Sequence, residues 1–343
     1  MRITDFDFSL PDDLIAQKPL ENRDDSRMLI VERGSGSFRD AAFSDIVDRL
    51  GRRDLLILNN TKVFPARLSG QTSTGAVVEV FLIGETGENT WETLVKPLRR
   101  LKPGKKVVFG DGLEARTVQI TDEGRAVLEF DFDGDFFERL ETLGRTPIPP
   151  YIKRDKDAPD ADRERYQTVF AAASGAIAAP TAGLHFTTEI LSQIRAGGTE
   201  VIEITLHVGY GTFEPVRVRD LSEHRVLPER FEISEAAADS LNRARSGGKR
   251  FVAVGTTTTR TLEYAAARDG IFSCESGYAD LTITPGYRFK AVGAMLTNFH
   301  LPKSSLLVLV STFAGHELIM KAYDHAVRER YRFYSYGDCM LIE

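Results

Sequence analysis

The chain has 343 residues, 42% hydrophobic and 27% charged, a globular balance that excludes a disordered, collagen-like or fibrous protein. Its longest purely aliphatic run, residues 306–310, is far short of the roughly 20 apolar residues of a bilayer helix, so no membrane partner is expected. The net charge of −6 argues against a polyanionic partner only on average, because binding answers to local potential rather than to the sum.

A soft prior of roughly 150 residues per domain gives about two domains. Residues 1–9 show no basic stretch leading into an apolar one, so no secretory signal is expected. Cys274 and Cys339 are too few for a disulfide framework or a multi-cysteine zinc site. These features predict a cytoplasmic protein of enzyme size.

Residues 54–58 (Asp-Leu-Leu-Ile-Leu) predict a short buried strand. Short β-rich runs then recur at 76–83, 91–95, 106–109, 115–120 and 126–132, punctuated by glycines. That spacing predicts a small antiparallel β-barrel. Inside it, Lys96, Arg99, Arg100, Lys102, Lys105 and Lys106 follow one another with no acid between them, a segment of +6 in a chain whose remainder is −12. The segment is either a solvated loop or a patch for a nucleic-acid backbone.

An amphipathic stretch, 136–143, precedes Pro147-Ile148-Pro149-Pro150, where a domain junction is placed. A charged loop covers 153–165. Helices are then predicted at 187–195, 234–245, 261–268 and 317–329, alternating with strands at 201–208, 251–254 and 291–296. Alternation of this kind predicts an α/β fold, a mixed sheet with flanking helices that strand 54–58 joins. The barrel is then an inserted domain, with divisions at 1–65, 66–150 and 151–343.

Dinucleotide, phosphate-loop and nucleophile-elbow motifs are all missing, and no metal-ligand spacing stands out. No metal is expected. Polar clusters instead follow the predicted strands, where α/β sheets place ligands. Asn59, Asn60 and Arg67 lie in the first, and Thr181, Gly183 and His185 in the second, at a helix start. His207 and Glu214 bracket two glycines in the third, a pairing suited to proton transfer near neutral pH. Thr256, Thr257 and Arg260 form the fourth, His300 and Lys303 belong to the fifth, and Tyr336 and Asp338 to the last. Turn chemistry, helix capping or core packing accounts for each alone; six together predict one large polar site.

Leu10-Pro11 with Arg23, and residues 59–67, 178–186, 206–215, 254–257, 297–304 and 332–338, together resemble the S-adenosylmethionine:tRNA ribosyltransferase-isomerases of queuosine biosynthesis. The resemblance runs along the whole chain. Its most specific blocks are Ala-Ala-Pro-Thr-Ala-Gly-Leu-His-Phe (178–186) and Thr-Asn-Phe-His-Leu-Pro-Lys-Ser (297–304). It implies an α/β domain carrying an inserted barrel. It also implies transfer and isomerisation of the ribosyl part of S-adenosylmethionine onto 7-aminomethyl-7-deazaguanine at the tRNA wobble position, giving epoxyqueuosine and releasing adenine and methionine.

In that chemistry the sulfonium acidifies the adjacent 5′ methylene, so a base is required. His185 and His207 are the candidates, with Glu214 as the alternative. Asn59, Asn60 and Arg67 are assigned to the co-substrate or the target nucleotide, and Thr181, Gly183, Thr256 and Thr257 to the co-substrate. Arg260 is assigned to the methionine carboxylate, and His300, Lys303, Tyr336 and Asp338 to the rest of the pocket. The basic segment 96–106 is assigned to tRNA, and a monomer or weak homo-oligomer is expected. The chain departs from the common family pattern chiefly at Leu227, where a histidine is usual. Two rival readings remain: a conventional tRNA methyltransferase, and a non-catalytic RNA-binding protein on the same fold.

Overall fold

The computed structural model describes residues 1–155, 160–213, 216–267 and 270–343. Strand β1 (Arg27–Glu32) and edge strand β2 (Ser37–Ala42) lead through helix α1 (Ile46–Arg49) into β3 (Asp54–Asn59). All six residues of β3 are buried. A continuous apolar run is what a strand with both faces covered requires. Leu55 and Ile57 enter one core while Leu56 and Leu58 enter another on the opposite face.

Beyond the short β4 (Thr61–Val63) come β5 (Arg67–Thr72), β6 (Val77–Gly87), β7 (Thr90–Lys96), β8 (Lys106–Gly110), β9 (Leu113–Ile120) and β10 (Ala126–Asp131). These six close into an antiparallel barrel in the order β10-β7-β6-β5-β8-β9. Alternate residues such as Val78, Val80 and Leu82 fill it, and Phe136 and Leu140 of α2 (Phe136–Leu143) join that core. The chain returns through α3 (Asp162–Arg165) to β11 (Ala173–Ala176), which lies parallel to β4. Departure and return are thereby zipped together.

The rest is α4 (Thr188–Ala196), β12 (Glu200–Leu206), β13 (Glu229–Ile233), α5 (Glu235–Ser246), β14 (Arg250–Val254), α6 (Thr256–Ala265), β15 (Glu275–Ala279), β16 (Val292–Asn298), α7 (Ser305–Ala314), α8 (His316–Arg328) and β17 (Cys339–Ile342). The main sheet runs β15-β13-β12-β3-β14-β16-β17-β1-β2. Its centre, β12-β3-β14-β16, is parallel. The helices α5 to α8 cover one face, and α1 and α4 cover the other. The mixed α/β sheet with a small antiparallel barrel is therefore the architecture expected from sequence.

Individual elements differ. Helix α6 starts at Thr256, five residues before the predicted 261–268, and ends at Ala265. Four β-branched threonines disguise it. Three of its hydroxyls fold back onto carbonyls one turn earlier: Thr258 onto Val254 at 2.6 Å, Thr259 onto Gly255 at 3.1 Å, and Thr261 onto Thr257 at 3.1 Å. Strand β5 escaped sequence reading because Gly70 interrupts it. A Cβ there would lie 2.6 Å from Val107 and 2.7 Å from Phe109, so the barrel core requires glycine. Strands β1, β13 and β17 and helix α7 were also not foreseen, and the predicted strand 201–208 stops at Leu206.

One buried carboxylate ties this sheet to its helices. Glu263 of α6, fully buried, accepts from the Tyr287 hydroxyl at 3.0 Å and from three main-chain amides, Lys290 at 2.7 Å, Ala291 at 3.0 Å and Val292 at 2.9 Å. Glu263→Gln turns an amide NH2 toward donors. It is expected to cost about 2–3 kcal/mol in urea unfolding, and a change within about 0.5 kcal/mol, the range of ordinary surface substitutions, would refute this role.

Candidate active site

The parallel strands β3, β12, β14 and β16 end at Asn59, Leu206, Val254 and Asn298. Four of the polar clusters therefore begin on one edge of the sheet. A pocket of about 480 Å³ opens there. Its walls come from residues 178–182, 255–257, 297–306 and 334–335, joined by Tyr151, Tyr166, Val208 and Val216.

Gly255, at φ +96°, turns the chain from β14 into α6. No side chain caps that helix, and its first amide with a main-chain partner is Thr259, on the Gly255 carbonyl at 3.1 Å. The amides of the first turn thus lie at the pocket wall, with the positive end of the helix dipole behind them. Thr256 and Thr257 both line the pocket.

Asn298, at the end of β16, is 2% exposed and also lines it. Its amide nitrogen donates to the Tyr334 carbonyl at 3.1 Å and lies 3.3 Å from Nε2 of His185. A carbonyl only accepts, which fixes the orientation of the amide and leaves Oδ1 with no partner. His185 therefore accepts at Nε2 and carries its proton on Nδ1, 2.9 Å from Ser26 Oγ, which in turn donates to the Arg23 carbonyl at 3.1 Å. Burial, then the Arg332 and Arg23 charges, push its pKa down to about 3.

Of the residues singled out from sequence, Thr181, Thr256, Thr257, His300 and Lys303 line the pocket. His300 is buried, 2.9 Å from Thr297 Oγ1, and burial pushes its pKa down to about 3. Lys303 pairs with Asp7 at 2.7 Å. His185 lies behind Asn298, on an adjoining narrow cleft. His207 is on the walls of neither; it sits 2.9 Å from Thr61 Oγ1, against Gly175, its pKa lowered by burial and then by Arg230. The fold does not bring these two histidines to a common cavity. Glu214 lies outside the described residues.

The others are engaged within the protein. Asn59 Oδ1 accepts from the amides of Thr61 at 3.1 Å and Leu206 at 3.0 Å, and its nitrogen donates to the Leu206 carbonyl at 2.9 Å. Asn60 bonds Thr205 and Glu203. Arg67 pairs with Glu79 at 3.0 Å in the barrel. Gly183 sits under Thr168 and Phe170. Tyr336 donates to Asp162 at 2.6 Å, and Asp338 accepts from the amides of Arg27 and Arg332.

Arg260 was assigned to a ligand carboxylate, but its guanidinium meets Glu229 at 2.6 Å, with both side chains buried. Its other groups reach the carbonyls of Leu281 and Ala279, each at 3.3 Å. Leu227 lines a small cleft with this pair, and that cleft shares Ser305 and Leu306 with the pocket. Of the basic segment, Lys96, Arg99, Arg100 and Lys102 are exposed and form no ion pair among the described residues, whereas Lys106 pairs with Glu114 at 3.2 Å. Leu101, buried in the barrel core, anchors the segment.

Sequence reading passed over Asn298, Tyr151 and Tyr334 as individual residues. The signal for Asn298 was present, a polar side chain at the end of an apolar strand. Tyr151 had none, because only the fold brings it against Ser335, 2.5 Å from its Oγ, and Tyr334.

Unfolded histidine titrates near 6.5, so between pH 6.5 and 3 the unfolded chain binds protons that native His185 refuses. Stability then rises with pH across that window and is lost as pH falls through it. The melting temperature of His185→Gln is expected to fall less steeply than wild type from pH 6.5 to 4; parallel slopes would mean that His185 is not held neutral.

A family model described as queuosine biosynthesis protein matches residues 3–342. The S-adenosylmethionine:tRNA ribosyltransferase-isomerase of Symbiobacterium thermophilum is 52% identical over 344 aligned positions, covering 100% of both chains. The crystal structure of S-adenosylmethionine tRNA ribosyltransferase from Thermotoga maritima is similar at a TM-score of 0.57 and 35% identity, covering 99% of this chain and 100% of that one. With motifs, fold and full-length similarity in agreement, this chain belongs to the queuosine biosynthesis protein family.

Proposed function

We propose that this protein is a cytoplasmic S-adenosylmethionine:tRNA ribosyltransferase-isomerase. It transfers and isomerises the ribosyl moiety of S-adenosylmethionine onto 7-aminomethyl-7-deazaguanine at the wobble position of tRNA, giving epoxyqueuosine with release of adenine and methionine. The observation that carries the reading is 52% identity, without truncation of either chain, to a relative of that name.

The pocket fits the co-substrate. Its size falls within the roughly 300–1,000 Å³ of small-molecule sites. The uncapped start of α6 suits the methionine carboxylate, a role that Arg260, already held by Glu229, is poorly placed to fill. The free Oδ1 of Asn298 suits the ammonium beside it. Tyr151, Tyr166 and Tyr334 line the pocket, and aromatic rings there suit a sulfonium or a purine. S-adenosylmethionine supplies an acidified 5′ methylene and two leaving groups, and the protein must orient these and move protons.

His185 acts through Asn298 in this arrangement, holding the amide that faces the pocket, and His207 acts from the end of β12. In the proposed division of labour, segments 1–65 and 151–343 hold the pocket and the barrel, 66–150, presents its basic segment to the tRNA.

Incubation with S-adenosylmethionine and tRNA bearing 7-aminomethyl-7-deazaguanine is expected to release adenine and methionine in equal amounts, with a matching mass gain on the RNA. S-adenosylhomocysteine as product would overturn the reading in favour of methyl transfer. Replacing His185 or His207 by alanine should lower turnover at least tenfold while tRNA still binds; near-normal turnover in both would remove them from the mechanism.

Reversing Arg99 and Arg100 to glutamate should weaken tRNA binding and flatten its dependence on log salt by about two units, near 0.9 per lost phosphate contact. An unchanged slope would make the segment a solvated loop.

A further inference from the structure

Arg23, Arg165 and Arg332 come from distant parts of the chain, ahead of β1, at the end of α3 and after α8, and meet beside a narrow cleft. Arg23 and Arg165 line the cleft, with Leu20, His185 and Ser335. Arg332 stands close enough to depress the pKa of His185. All three are half-buried, yet none forms an ion pair with a carboxylate among the described residues.

Main-chain carbonyls hold them instead. Arg23 bonds Leu184 at 3.1 Å and Glu164 at 3.2 Å, Arg165 bonds Glu21 at 2.9 Å and Leu20 at 2.6 Å, and Arg332 bonds Lys18. Nε of Arg165 and Nη1 of Arg332 are buried with no acceptor. Asp338, beside Arg332, is spent on two backbone amides. Burial and the Arg165 charge both lower the pKa of Arg23.

Three other arginines of this fold are paired where they are buried, whereas Arg33 is likewise held by main-chain carbonyls, those of Phe313 and Gly293. Arg154 meets Asp162 at 2.7 Å, Arg250 meets Asp54 at 2.7 Å, and Arg260 meets Glu229. Asp338 is the one carboxylate whose charge acts on Arg332, and no guanidinium of the three is ion-paired among the described residues. Desolvating three together in this way is costly, and an anion that takes their open N–H groups offsets that cost.

We infer that Arg23, Arg165 and Arg332 form an anion site for a backbone phosphodiester of the tRNA, flanking the nucleotide whose base enters the active pocket. The inference rests on the function proposed above. The cleft, about 20 Å³, admits phosphoryl oxygens and no base, since a single water needs about 10–15 Å³ on that scale. Ser335 lines both the cleft and the pocket, so an anion in the first is one residue away from the second. Guanidinium forks match phosphate geometry, and the carbonyl anchors keep them preorganised.

The test uses wild-type enzyme and anticodon stem-loop RNAs carrying 7-aminomethyl-7-deazaguanine, with a single neutral methylphosphonate linkage placed on either side of it. One of the two linkages is expected to weaken RNA binding about tenfold by fluorescence anisotropy and to raise the RNA KM likewise, with kcat and the S-adenosylmethionine KM unchanged. In Arg165→Ala the same linkage should have no further effect, and Arg332→Lys, which keeps the charge but loses the fork, should show an intermediate loss.

Equal binding of all the RNAs to wild type overturns the inference. A rise in the S-adenosylmethionine KM of the arginine variants, with RNA binding intact, also overturns it and gives the cleft to the methionine carboxylate. Competition by inorganic phosphate without sensitivity to either linkage overturns it in favour of free phosphate. Absence of adenine release with the all-phosphodiester stem-loop carrying 7-aminomethyl-7-deazaguanine condemns the proposed function instead, and the binding comparison still decides the phosphate site.

Discussion

The side chain of Asn59 fastens the edge on which the pocket is built. Its carbonyl takes the amides of Thr61 and Leu206 and its nitrogen binds the Leu206 carbonyl and reaches Thr257 Oγ1 at 3.4 Å. One buried amide thus locks the ends of β3 and β12 to the first turn of α6. The parallel neighbours β12, β3 and β14 are not joined to one another by hairpins at this edge, and the Asn59 side chain holds two of their ends together. The bond partners of Asn59 are all internal, and it shapes the pocket from behind.

Once the strand ends are fixed, the electrostatics follow. Helix α6 begins immediately after β14 and delivers uncapped amides to the wall, while β16 delivers Asn298, whose orientation is set by Tyr334 and His185. Positive character on one side of the pocket and a free acceptor on another are what a zwitterionic amino-acid group requires. The buried ion pair of Arg260 and Glu229 serves a different end. It ties α6 to β13, and removing one partner of such a pair typically costs about 3–5 kcal/mol.

The molecule also separates its contacts by type. The barrel carries exposed cations on a segment anchored by Leu101, suited to long-range attraction of a polyanion. The pocket and the cleft beside it hold half-buried, oriented groups suited to short-range recognition. In the function proposed here, attraction at a distance and positioning at contact fall to different parts of one chain.

Much of this was legible in the residue order. The even spacing of short β segments predicted the barrel, the alternation of helices and strands from residue 187 onward predicted the mixed sheet that the apolar run 54–58 joins, and the blocks at 178–186 and 297–304 pointed to the family. Strand and helix periodicity and local motif chemistry are properties of neighbours in sequence, so sequence carries them. The partner of a buried polar group is not such a property. Arg260 is met by Glu229, Asn59 by Leu206 and His185 by Asn298, at separations of 31, 147 and 113 residues. Only the tertiary structure decided which polar residues face the pocket and which are consumed in building it, because a hydrogen-bonding group is spent on whichever partner the fold brings within hydrogen-bonding reach of it.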